Sequence, residues 1–212
     1  MKIASFSISG GAPALGVVNG DGLVALSAHI AGVPTDLIPL MERWDEFKPQ
    51  IEAIADRAPD HALSDVTLHA PVRRPGKIMG LGLNYADHAA EAAMELPSEQ
   101  LWFSMQETTV GDPYGTIELP KVSTALDYEA ELVFVVGKRI RHATLEQAKD
   151  AIFGYAVGND VSVRDWQFKT SQFNLGKSFD THAPFGPWVV TSDSIDPHNL
   201  GIRCYVNGEE RQ

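Results

Sequence analysis

Residues 126–138 read LDYEAELVFVVGK, and the chain's architecture turns on how this stretch is read. Leu132, Val133, Phe134, Val135 and Val136 run without a break, as in a strand entering a core. Side chains alternate across a strand with period two. Glu129, Glu131, Val133 and Val135 therefore share one face, and Tyr128, Ala130, Leu132, Phe134 and Val136 share the other. Two like charges at that spacing repel, and desolvating even one ionised carboxylate is costly. Three arrangements relieve the conflict: a solvated strand end, a protonated glutamate, or a cation between the two.

A third carboxylate bears on that choice. Asp160 follows YAVGN, itself a predicted strand, and so sits at another strand end. Three carboxylates with waters suit a hard divalent ion such as Mg²⁺ or Mn²⁺, which prefers oxygen ligands in octahedral geometry. Zinc is disfavoured, because no Cys–His ligand pair lies nearby in sequence.

Two further groups carry chemistry. His88 and Glu91 are spaced i, i+3 in an Ala-rich helical stretch, so the carboxylate can orient the imidazole as a general base; the bland alternative is an exposed helix pair. Arg164 and Gln167 in VSVRDWQ, with Lys177 in NLGKSFD, supply donors for a substrate carboxylate; the alternative is a solvated surface.

Around these groups the chain reads as α+β, mainly β. ALGVV and LVAL flank Asn19-Gly20-Asp21-Gly22, a hairpin signature. Residues 35–57 carry helical spacing that Pro39 and Pro49 are expected to break into two short helices. The Pro/Arg-rich stretch near residue 70 divides the chain into a small N-terminal α/β domain, 1–70, and a catalytic domain, 71–212. Gly80 and Gly82 in KIMGLGLNY mark a close backbone approach. Thr144 and Gln147 form a capping box opening a helix, TLEQAKDAIFGY, that ends at Gly154. PWVV and GIRCYV are predicted strands. IRCYV runs into Asn207-Gly208, a hairpin turn with a short return, so the catalytic domain is expected to be incomplete at its C-terminus.

Composition excludes several classes. With 28 acids against 17 bases the net charge is −11, the wrong sign for nucleic acid or an anionic membrane. One cysteine, Cys204, leaves no disulfide framework. No stretch approaches the roughly 18 apolar residues of a membrane span. A cytoplasmic protein is expected.

In order and spacing, GLNYADHAAE, DYEAELVFVVGK, GYAVGNDVSVRDWQ and GKSFDTHAPFGPWVV resemble the fumarylacetoacetate hydrolase family. The resemblance covers about residues 72–212. It implies a mixed β-sandwich roll assembled as a homodimer, with a Mg²⁺ or Mn²⁺ site at Glu129, Glu131 and Asp160. It implies a catalytic His88–Glu91 dyad on a lid helix. Lys177 is expected to act with the dyad, and Arg164, Gln167 and Tyr85 to bind substrate. The implied substrate is a 2,4-dioxo acid of the acylpyruvate type, hydrolysed at a carbon–carbon bond; decarboxylation or isomerisation of a related oxo-acid, and an inactive metal-binding homologue, are the alternatives. Many relatives carry F-x-K-P where this chain has Phe103-Ser104-Met105-Gln106, and the family's later T-G-T-P-x-G segment does not occur in the sequence.

Overall fold

A computed structural model describes residues 1–85 and 98–212. The expected helix bearing His88 and Glu91 falls outside the described residues. The fold is mainly β with short helices. Its principal sheet has the order β10-β11-β13-β1-β2-β3-β4. These strands are β1 (Lys2–Ser7), β2 (Ala14–Asn19), β3 (Gly22–Ala25), β4 (His61–Ala62), β10 (Ala130–Val136), β11 (Ile152–Asn159) and β13 (Ala183–Thr191). Off this path, β5 (Thr67–His69) pairs with β1, and β8 (Val110–Gly111) runs parallel to β13. Three two-stranded ladders complete it: β6 (Ile78–Leu81) with β7 (Trp102–Met105), β9 (Leu126–Asp127) with β12 (Ser162–Val163), and β14 (Tyr205–Val206) with β15 (Glu209–Glu210).

The predicted β2–β3 hairpin is present and closes through Gly20 at φ +56°. The predicted hairpin at Asn207-Gly208 is present too, with both residues at positive φ, the conformation a tight hairpin turn requires. Gly80 lies where a β-carbon would enter the Phe103 ring, the close approach its sequence context implies.

The principal sheet crosses residue 70. β1 pairs antiparallel with β13 through Lys2–Val190 and Ile3–Val189. One core cluster draws Ile3, Val17, Leu37, Leu40, Phe47 and Ile51 together with Phe153, Ala156 and Val189. The helices Leu37–Glu42 and Trp44–Glu52 bury Leu37, Leu40, Phe47 and Ile51 in it, each worth about 1.5–3 kcal/mol of transfer free energy.

Five local expectations are corrected. LDYEAELVFVVGK is not one strand. It forms β9 and then, after Tyr128 and Glu129, β10, and the two pair with different partners, β12 and β11. Nor is its apolar run wholly buried. Val133 and Val135 pack on the core, while Phe134 and Val136 on the opposite face are 48% and 51% exposed. The helices near residues 35–57 break at Arg43 rather than at the prolines. Pro39 occupies a first turn, where an N–H has no intrahelical acceptor anyway, and Pro49 is on an exposed face. The capping-box helix is Leu145–Asp150 and stops before Ile152, because Ile152 and Phe153 are taken into β11. In GIRCYV only Tyr205 and Val206 are strand.

Candidate active site

The switch from β9 to β10 sets the site. Glu129 lies at the break, and its backbone is fixed on both sides: its N–H donates to Asn159 Oδ1 at 3.0 Å, and its carbonyl accepts from Asp160 N–H at 2.9 Å. Those bonds clamp Glu129 to the end of β11, beside Asp160. Glu131 follows on β10. The three expected carboxylates thus come from two adjacent strand ends.

Lys177 reaches the same point from a loop. The turn Phe173–Leu175 accepts Lys177 N–H, and Gly176 packs where any β-carbon would strike the backbone of Gln167. The Lys177 side chain is buried, the whole residue being 2% exposed. Its ammonium donates to Glu129 Oε2 at 2.6 Å and Asp160 Oδ2 at 2.8 Å, and lies 5.3 Å from the centre of the Phe103 ring.

Arg164 forms the other wall. Its guanidinium pairs with Asp127 Oδ2 through Nη2 at 2.7 Å and Nε at 2.9 Å, and Nη1 reaches Glu129 Oε1 at 2.8 Å and Gln167 Oε1 at 3.0 Å. Four of its donor contacts are therefore taken up inside the protein. Burial works against its charge, but Glu129 and Asp127 more than offset this and raise its pKa. Asp127 was not singled out from sequence, although Asp127, Glu129 and Glu131 share one parity in LDYEAE. Asn159 was not either, and no short motif marks it.

Among the described residues, the carboxylates of Asp127, Glu129, Glu131 and Asp160 cluster beside the cations Arg164 and Lys177. Burial, then the neighbouring Glu129 and Asp160, push the Glu131 carboxyl up to about 7. Burial likewise raises Asp160, with Lys177 pulling the other way. Asp160 Oδ1 is buried with no hydrogen-bond partner. A buried acceptor without a partner, next to clustered carboxylates, fits the oxygen donor set of a hard divalent cation. In the structure, Lys177 Nζ lies between Glu129 and Asp160. Among the described residues no three His, Cys, Asp or Glu side chains are already gathered around a common point.

Tyr85 lies against the strand that carries the carboxylates. Its hydroxyl accepts from Leu132 N–H at 3.0 Å and lies near Glu131, and burial raises its pKa. Of the expected site residues, the structure thus brings together Glu129, Glu131, Asp160, Lys177, Arg164, Gln167 and Tyr85.

A second polar chain lies elsewhere. Ser7 Oγ is 2.8 Å from His69 Nε2, and His69 Nδ1 is 3.1 Å from Asp112 Oδ2. The order is that of a nucleophilic triad, but Ser7 is 4% exposed between β1 and β5. No reactant carbonyl can approach it, and Asp112 also accepts from Ala70 N–H at 2.9 Å. We read this chain as a tie between strands.

Buried carboxylates and one lysine thus lie together at the strand ends of a mainly β fold. The chain belongs to the fumarylacetoacetate hydrolase family: residues 77–212 match the sequence model described as fumarylacetoacetate (FAA) hydrolase C-terminal. It is 40% identical over 198 residues to a mitochondrial oxaloacetate tautomerase of Bos taurus, covering 92% of this chain and 63% of that relative's length. It resembles the crystal structure of maleylpyruvate hydrolase from Sphingobium sp. SYK-6 in complex with manganese(II) and pyruvate, with TM-score 0.82 at 30% identity, over 100% of this chain and 75% of that one. A 5-carboxymethyl-2-hydroxymuconate delta-isomerase from Mycobacterium smegmatis superposes with TM-score 0.74 at 29% identity, over 100% and 74%. The relatives thus include a tautomerase, a hydrolase and an isomerase. Among the described residues, no helix is long and apolar enough to cross a membrane.

Proposed function

We propose that this chain handles a small 2-oxo acid by stabilising its enolate, and that its reaction is the enol–keto tautomerisation of an oxo-dioic acid of the oxaloacetate class. The observation that carries the enolate chemistry is the cluster of buried carboxylates around Lys177, with Asp160 Oδ1 buried and unpartnered. The choice of tautomerisation is supported by the 40% identical relative.

Glu129, Glu131 and Asp160 are the residues that would hold Mg²⁺ or Mn²⁺. When bound, such an ion supplies Lewis acidity toward the carboxylate and 2-keto oxygen of the substrate. Lys177 holds a positive charge in a site nearly closed to water, where it offsets negative charge developing on the substrate oxygen. Arg164 keeps Glu129 and Gln167 in place through its fork to Asp127. His88 and Glu91, outside the described residues, are proposed to carry the proton between the enol oxygen and C3. Residues 71–212 carry this chemistry, with 1–70 as the packing domain. A homodimer and a cytoplasmic location are proposed with it; sedimentation and cell fractionation test them, the mitochondrial tautomerase naming the other compartment.

Hydrolytic cleavage of a 2,4-dioxo acid is the second reading, favoured by the similarity to the maleylpyruvate hydrolase. Enol-oxaloacetate, an acylpyruvate and keto-oxaloacetate, assayed side by side with and without chelator, separate tautomerase, hydrolase and decarboxylase. Cation binding with no turnover would identify an inactive homologue. The reading is wrong if tautomerisation persists undiminished both in chelator and in Glu131→Ala.

A further inference from the structure

Gln212 makes a contact that the site's sequence pattern does not announce. Its side-chain amide lies along β10: Ala130 N–H donates to Gln212 Oε1 at 2.8 Å, and Gln212 Nε2 donates to the Ala130 carbonyl at 2.9 Å. One amide thus supplies an acceptor and a donor to one backbone residue, as a neighbouring strand does in a ladder. The rung falls on Ala130, between Glu129 and Glu131. Among the described residues β10 ends the principal sheet, and no described strand pairs with its outward edge. Two residues further on, Leu132 N–H is met by the Tyr85 hydroxyl at 3.0 Å.

The donor of this rung is itself fixed. The β14–β15 hairpin is prolonged by Arg211 N–H to the Cys204 carbonyl at 2.8 Å and by Cys204 N–H to the Gln212 carbonyl at 2.8 Å. The backbone of Gln212 is therefore part of a ladder on one side, while its side chain forms a second ladder rung on β10. Ala130 is 8% exposed, so water cannot easily replace the amide.

We propose that Gln212 is a positioning residue: through its amide the C-terminal hairpin holds the Glu129–Glu131 segment at the spacing that binds a divalent cation. This rests on the metal-assisted reading above. A strand end with an unmade rung frays, and small octahedral cations tolerate loose ligands poorly. Groups that hold ligands from behind typically contribute about 10- to 100-fold in metal affinity.

The test is Mn²⁺ titration of the full chain, by electron paramagnetic resonance of free Mn²⁺, alongside melting temperature in chelator. Gln212→Met keeps the length and neutrality of the side chain and deletes both hydrogen bonds. Arg211→Ala removes the exposed Arg211–Glu209 pair of the same hairpin and serves as the control. The expected result is a loss of about tenfold in Mn²⁺ affinity for Gln212→Met, with a melting temperature a few degrees lower in chelator and Arg211→Ala unchanged. An affinity within twofold of wild type overturns the positioning role alone. So does a loss of affinity that Arg211→Ala reproduces. Absence of Mn²⁺ binding by the wild type overturns the metal reading, and this inference with it.

Discussion

Glu131→Gln should stabilise the cation-free protein at alkaline pH while abolishing its function. Glu131 is pushed from 4.5 to about 7 by burial and by Glu129 and Asp160. Its ionised form is thus unfavourable in the folded state. At about 1.4 kcal/mol per tenfold the cost is about 3 kcal/mol, and partial solvent screening trims it to about 2 kcal/mol. A raised acid stabilises the fold relatively at low pH, and that contribution is lost as pH rises from 4.5 through about 7. Glutamine keeps the shape of the side chain and carries no charge. In chelator at pH 8.5, the variant should therefore melt roughly 4–8 °C above wild type. At pH 4.5 the two should melt together. Mn²⁺ should reverse the order at pH 8.5 by stabilising only the wild type, by mass action. Differential scanning calorimetry at four pH values reads all of this. A variant no more stable than wild type at pH 8.5, or a gap independent of pH, would refute the charge-crowding argument.

Lys177→Met leaves Glu129 and Asp160 facing each other without their shared ammonium. Breaking a buried pair this way costs about 3–5 kcal/mol, so melting in chelator should fall by roughly 10 °C. Mn²⁺ should recover more of that loss in the variant than it adds to wild type. Arg164→Lys keeps the charge but loses the fork to Asp127 and the reach to Gln167; steady-state kinetics should show kcat/KM down about tenfold. Gly176→Ala drives a β-carbon into the backbone of Gln167. Urea unfolding should show a loss of about 2–4 kcal/mol, whereas the same change at Gly201, with open space around it, should be nearly silent.

Much of the site was legible in the sequence because strand alternation is local. The parity of Glu129 and Glu131, and the placing of Asp160 at a strand end, need only nearest neighbours. The break at Tyr128–Glu129 was not legible. Alternation runs unbroken through it, and only the change of partner, from Ser162–Val163 to the strand ending at Asn159, reveals it. Partner choice is a long-range property. Lys177 was legible as a residue but not as the bridge of Glu129 and Asp160, 48 and 17 positions away. The exposure of Phe134 and Val136 was hidden for a related reason. An unbroken apolar run reads as buried on both faces, yet β10 has core on one side only. The prolines misled because their cost depends on turn position and on the face they occupy, which the helix start decides.

The pairing of β1 with β13 bears on how this protein can be cut. The match to the family's C-terminal model begins at residue 77, and that is where a cloner would trim. A fragment starting there would carry β13 without its β1 partner at Val189 and Val190, and with Val189, fully buried in the intact chain, open to water. Such an edge recruits strands from other molecules. The first six or seven residues thus protect the remainder from intermolecular pairing, and expression designs should keep them.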